Sequence, residues 1–308
     1  MEPIKHIKKE KKHLKRLKEM RGAIYTKVAP LEVGFHPSKE PIAPGSQYSL
    51  NYSPIKNLQP WAKVYGCAWF HLLGEIPESA HGKHVVVHIN IGGEGVAYQG
   101  SEPTQGITLV MSYIDRLQSG VGKSILEVSP AAKAGDKVEF YIDGGYNGYY
   151  NYPFGMGIFQ YANLSVVNDE LLDFYYDYLC ITSLLSVTKD YDKRFTLEKN
   201  LDESFKAAQT TPVNGRSILV PLLKGRPEPG LNITAVGHSH LDLAWLWPER
   251  ETKRKAQRTF ANQINNGLRY PEYIYGASQP WQFEYIKTNY PKQYEALKSM
   301  AAKGQLEF

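Results

Sequence analysis

From Trp61 to about residue 168 the apolar residues come in short runs broken by turn residues: KVYGCAWFHLL, HVVVHINI, SILEVS, KVEFYIDG and ANLSVV. Runs of this length, rich in Val, Ile, Phe and Tyr and separated by Gly, Pro, Asp and Asn, are strands. Five in one stretch predict an antiparallel sandwich of the jelly-roll kind. Ahead of them Pro30, Pro37, Pro41, Pro44, Pro54 and Pro60 rule out a long helix, so residues 21–60 read as an irregular, extended lead-in. Behind them the period becomes helical in ELLDFYYDYLCITSLLSV and FTLEKNLDESFKAAQ, two helices that read as a connector.

The segment RPEPG, residues 226–230, punctuates the chain before a new order begins. A strand, NITAV, leads to a helix from Pro248 to about Leu268. A second strand, EYIYGA, leads to a helical stretch from Trp281 to Ala302 divided near Pro291, and QLEF opens a third strand. Alternating strands and helices mean a parallel β/α sheet. The expected fold class is therefore multidomain. An N-terminal helix and lead-in (1–60) precede a jelly-roll-like β-sandwich (61–168), a helical connector (169–230) and the start of a parallel β/α domain (231–308). A length of 308 residues agrees, since single cores stop growing near about 250.

The net charge of +5 invites a nucleic-acid reading, but the first twenty residues hold eight Lys and Arg against three Glu, which accounts for all of it. That segment reads as one helix with Ile4, Ile7, Leu14 and Leu17 on a stripe docked to the body. No interleaving of basic and aromatic residues supports nucleic acid as a partner. No apolar run approaches the roughly 18 residues of a membrane span, and no apolar stretch follows the basic start as in a secretory signal. The expected location is cytoplasmic, with no membrane partner. Two cysteines, Cys67 and Cys180, are too few for a disulfide framework or a cysteine zinc site.

The stretch AVGHSHLDLAWLWPERETKRKAQR carries the chemistry. In an extended segment His238, His240 and Asp242 share a face, at the carboxyl end of a strand where parallel β/α folds place their sites. Imidazole and carboxylate suit a divalent ion such as zinc, with further ligands coming from later strands. On spacing alone the same residues serve equally as satisfied polar groups at a strand end. Trp245 and Trp247 are either core or an apolar platform for a ligand. Pro248 at the first helical position, with Glu249 and Glu251 in the first turn, is helix grammar.

The run GHSHLDLAWLWPERETKRKAQRTF, followed by YPEYIYGASQPWQFEYIKTNYPKQYEALKSMAAKGQLEF, resembles the opening of the catalytic domain of family 38 glycoside hydrolases, the zinc-dependent α-mannosidases. The likeness is to their cytosolic, vacuolar and bacterial branch. The preceding β-rich region with EGVAYQGSEPTQGI is similar to that branch's N-terminal sandwich. The resemblance implies that His240 and Asp242 are zinc ligands, that Trp245 lines the mannose subsite, and that His238 lies beside the ligands and orients them without binding the ion. Trp247 and Trp281 are assigned to structure. Ligand type leaves cobalt open beside zinc.

The implied substrate is an α-mannoside oligosaccharide, hydrolysed with retention through a glycosyl-enzyme intermediate. In that family the aspartate nucleophile, the acid/base aspartate and the last histidine ligand lie past the position matched by Phe308. No catalytic residue is therefore assigned in this chain, which is expected to be an N-terminal fragment, inactive alone. A homo-oligomeric state is left open. Two other classes stand beside this one. A metal-dependent amide or ester hydrolase would ligate through His238 as well as His240. A non-catalytic carbohydrate-binding sandwich would use the aromatic segment YNGYYNYPFGMGIFQY, residues 146–161, as a platform, although domain packing is the simpler use of those rings.

Overall fold

The computed structural model describes residues 10–108, 123–147, 155–224 and 233–308. Helix α1 (Lys11–Ile24) runs straight into β1 (Tyr25–Pro30), followed by β2 (Glu32–Ser38), β3 (Ser53–Pro54) and β4 (Pro60–Lys63). Then come β5 (Cys67–Glu75), β6 (Val85–Asn90), β7 (Glu94–Gln99), β8 (Glu102–Ile107), β9 (Ile125–Ser129), β10 (Lys137–Gly145), β11 (Met156–Ile158) and β12 (Tyr161–Val167). They form a four-stranded sheet, β1-β12-β6-β9, and a six-stranded sheet, β3-β2-β5-β10-β7-β8, with a β11-β4 ribbon at one end. Among the described residues the pairings within these sheets are antiparallel.

The alternation of side chains explains the two faces of the larger sheet. Phe70, Leu72, Phe140 and Ile142 point inward and meet Val85, Val87, Ile89 and Leu164 of the smaller sheet. Burying each such side chain contributes about 1.5–3 kcal/mol. Their neighbours Trp69, Val96, Tyr98 and Tyr141 form a second cluster on the outer face.

The expected lead-in is corrected here. β1 pairs with β12, and β2 pairs with β5 from Glu32↔Leu73 to Ser38↔Cys67, so the sandwich begins near residue 25 rather than 61. Prolines exclude helix but not a strand edge. Pro30 closes β1, and Pro37 lies past the point where β3 stops pairing with β2, at Phe35.

Helix α1 packs on α2 (Asp169–Val187), α3 (Tyr191–Ala207) and α4 (Pro212–Leu223) around Leu17, Phe174, Tyr178, Ile181, Leu201 and Leu219. Its buried face is His13, Leu17, Met20 and Ile24; Leu14 is half-buried, and Ile4 and Ile7 lie outside the described residues. Three helices follow the sandwich, where two were expected. Thr211 caps α4, Pro212 opens it, and Gly215 lets it approach the side chains of Ala208 and Phe174.

The last part of the chain is a parallel sheet of short strands, β13 (Gly237–His238), β14 (Tyr275–Gly276) and β15 (Leu306–Glu307). Helix α5 (Glu249–Arg269) joins the first two strands, and α6 (Pro280–Asn289) and α7 (Pro291–Ala302) join the last two. Phe260, Tyr275, Ile286, Leu297, Met300 and Leu306 form its core. The strand expected at NITAV pairs only from Gly237, and Ile233 to Val236 are exposed. Among the described residues no helix is long and apolar enough to cross a membrane.

Candidate functional site

Helix α5 decides where the site sits, because it is buried on two sides. One side meets the parallel sheet through Phe260; the other lies on the outer face of the six-stranded sheet. Glu251, Arg254, Lys255, Arg258 and Asn262 recur at helical spacing and make a polar stripe, which ordinarily faces solvent. Here the stripe is buried and paired. Arg254 donates to both oxygens of Asp143, at 2.6 and 3.0 Å, and to Glu251 at 3.1 Å. Arg258 joins Glu251 at 3.0 Å and also pairs with Glu94, which receives Lys255 at 2.9 Å and Asn147 at 2.6 Å.

Burial opposes the charges in this network, but pairing outweighs it at two positions. Asp143 and Glu251 hold the Arg254 guanidinium above its ordinary value, and Arg258 and Lys255 hold the Glu94 carboxyl down to about 2. Gly106 of β8 completes the fit. A Cβ there would stand 2.8 Å from the Cβ of Arg258, and its N–H donates to Asn262 Oδ1 at 3.1 Å.

The segment 239–248, between β13 and α5, has no strand or helix of its own and is pinned through its carbonyls. Gln282 donates to Leu241 O at 3.3 Å, and the Thr252 hydroxyl donates to Leu243 O and accepts from Trp247 Nε1 at 2.9 Å. Lys255 Nζ lies 4.5 Å over the Trp247 ring. From the sandwich, Tyr65 O–H donates to Leu246 O at 2.8 Å. Pro248 stands at the N-cap of α5 rather than at its first helical position.

The predicted residues divide accordingly. His240 Nε2 and Asp242 Oδ1 lie 3.0 Å apart, with side chains 71% and 39% exposed. As it stands this contact is a hydrogen bond; its length is also close to the roughly 3–3.4 Å between two donors each about 2.1 Å from a zinc ion, so the pair can share one ion with little movement. His238 ends β13 and is not gathered with them. Among the described residues no group of three His, Cys, Asp or Glu side chains is assembled for a metal. Trp245 is 61% exposed and stands edge-on to Trp247 at 6.1 Å.

Trp281 stacks on Tyr285 at 5.8 Å, a packing contact. Of the aromatic segment 146–161, Tyr146 and Phe159 are buried in the sandwich core and residues 148–154 lie outside the described residues. Sequence reasoning missed Tyr65, Thr252, Arg254 and Gln282. No local signal marked them: a polar stripe at helical spacing reads as a solvated face, and Tyr65 and Gln282 lie outside α5 in sequence.

Comparison with known proteins bears on the family of the chain. The family described as alpha-mannosidase, jelly roll domain, matches residues 28–200, and that described as glycosyl hydrolases family 38 N-terminal domain matches residues 230–308. Human alpha-mannosidase 2C1 is 28% identical over 277 residues, 83% of this chain and 25% of its own length. Alpha-mannosidase G of Dictyostelium discoideum is 24% identical over 302 residues, 89% of this chain and 26% of its own. The Saccharomyces cerevisiae alpha-mannosidase is 38% identical over 69 residues, 22% of this chain and 6% of its own. The chain thus spans about a quarter of the length of the first two relatives. Among solved structures, a β-glucuronidase from Ruminococcus gnavus aligns at a TM-score of 0.31 and 11% identity over 46% of this chain and 28% of that one, too slight a likeness to bear on the argument. With a jelly-roll match over more than half its residues and a family 38 match beyond it, the chain belongs to the glycosyl hydrolase family 38 α-mannosidases.

Proposed function

We propose that this chain supplies the sandwich and the first part of the metal site of a retaining, zinc-dependent α-mannosidase that removes terminal α-mannosides from oligosaccharides or glycans. The observation that carries the reading is the His240–Asp242 pair, 3.0 Å apart just past the first parallel strand, with the exposed Trp245 ring three residues on. In this reading His240 and Asp242 hold the ion, cobalt being the alternative to zinc, and Trp245 presents an apolar face to the sugar. The bound ion would orient sugar hydroxyls and offset developing charge. Retention needs two carboxyl groups about 5–5.5 Å apart, and neither is assigned to a described residue. Two free cysteines, Cys67 and Cys180, suit a reducing, cytoplasmic setting.

The test is hydrolysis of 4-nitrophenyl α-mannoside by the protein expressed from its native gene. Cleavage of the α but not the β anomer is expected, lost with a chelator and restored by zinc. Cleavage of 4-nitrophenyl acetate with no action on the α-mannoside by zinc-loaded protein would overturn the reading in favour of the ester hydrolase.

A further inference from the structure

The turn joining β4 to β5 holds a residue that turn chemistry disfavours. Lys63 to Gly66 closes with Gly66 N–H donating to Lys63 O at 2.8 Å, and the third residue, Tyr65, has φ +62°. Positive φ at that position favours Gly or Asn. A bulky side chain kept there against backbone preference points to a use for the side chain.

Its contacts supply one. The Tyr65 phenol donates to Leu246 O at 2.8 Å across 181 residues of chain, and its own N–H is held by Tyr146 O at 2.8 Å. Its carbonyl accepts from Arg250 Nη2 at 3.5 Å, and Arg250 Nε lies 3.2 Å from Glu40. The sandwich therefore grips both ends of the segment from Leu246 to Arg250. Leu246 sits between the two tryptophans. Trp247 is tied on its far side by Thr252 and Lys255, so anchoring the Leu246 carbonyl fixes the Leu246–Trp247 peptide, one residue along from the Cα that carries Trp245.

We propose that Tyr65 is a positioning residue through which the sandwich orients the tryptophan loop, and with it the Trp245 ring that receives the sugar. The second half of this statement rests on the α-mannosidase reading; the first half does not. The jelly roll is then a working wall of the site, acting through a side chain that is not itself a metal ligand.

The test uses the protein expressed from its native gene, with hydrogen exchange at residues 243–248 and steady-state hydrolysis of 4-nitrophenyl α-mannoside as separate readouts. Tyr65→Phe keeps the ring and removes only the donor. Exchange over 243–248 should rise several-fold. KM should rise about 3- to 10-fold, the loss of one neutral hydrogen bond, with kcat within about 2-fold. Tyr65→Gly relaxes the backbone and should raise KM at least as much without lowering the melting temperature. Trp245→Ala separates the two halves. If it raises KM while Tyr65→Phe leaves KM unmoved, positioning of the substrate surface by Tyr65 is overturned. If it leaves KM unmoved, the sugar-subsite reading fails by itself, and the exchange result alone decides Tyr65. Unchanged exchange in Tyr65→Phe, or native behaviour of Tyr65→Gly, overturns the proposal.

Discussion

Replacing Arg254 by Met keeps most of the side-chain volume and removes the charge. Arg254 and Asp143 are 7% and 5% exposed, and Arg254 pairs both carboxylate oxygens of Asp143. Glu251 keeps Arg258 at 3.0 Å after the substitution, so the penalty falls on Asp143. Leaving one partner of a buried pair uncompensated costs about 3–5 kcal/mol, a large share of the stability of any domain. The double variant Arg254→Met with Asp143→Val replaces the pair by apolar groups and should return to within about 1–2 kcal/mol of the native protein.

The stranded carboxyl also gives a pH signature. Burial raises the folded pKa of a lone Asp143 above its unfolded value of about 3.9, so folding takes up a proton and the deficit shrinks as pH falls. Urea denaturation followed by tryptophan fluorescence at pH 7 and pH 5 reads both effects. A loss under about 1 kcal/mol in the single variant, as for a solvated pair, would refute the reasoning; so would a double variant no more stable than the single.

Three further outcomes follow from the same geometry. Thr252→Val, which removes the hydroxyl that holds Leu243 O and Trp247 Nε1, should cost about 1–3 kcal/mol and weaken metal binding roughly 10-fold, while Thr252→Ser stays near native by zinc titration and urea melts. His84 bridges Asp169 at 2.7 Å and Glu127 at 3.0 Å; burial alone would lower its pKa, but these bonds outweigh it and the net direction is up. Its contribution is full below the unfolded value of about 6.5 and is lost as pH rises through the raised folded value. The native melting temperature should therefore exceed that of His84→Gln by more at pH 6 than at pH 8.5, and an equal gap would contradict this. Phe260→Ala, at a fully buried position on α5, should cost about 3–5 kcal/mol in a urea melt.

Much of the architecture was legible because it follows from period. The short β-branched run HVVVHINI gave β6, and the switch to helical spacing gave α2 and α3. What failed was reasoning from breakers and from charge. Prolines at 30 and 37 lie at strand edges, so those breaks excluded less than they suggested. The charged face of α5 reads as solvated, since charge is usually exposed; only the opposing Asp143 and Glu94, more than 100 residues away, make burial affordable.

The site divided along the same line. His240 and Asp242 are two residues apart and their meeting follows from local spacing. Tyr65, which holds Leu246, is placed by tertiary structure alone. His238 lies two residues before His240, yet among the described residues no third metal-type side chain is assembled with the pair.

The central claim is that His240 and Asp242 are metal ligands and His238 is not. The direct measurement is zinc content after dialysis, by elemental mass spectrometry, of the protein expressed from its native gene and of its His240→Ala, Asp242→Ala and His238→Ala variants. The account predicts about one zinc per native chain, none in the first two variants, and zinc retained with weakened affinity in the third. Zinc retained by His240→Ala, or abolished by His238→Ala, would contradict it.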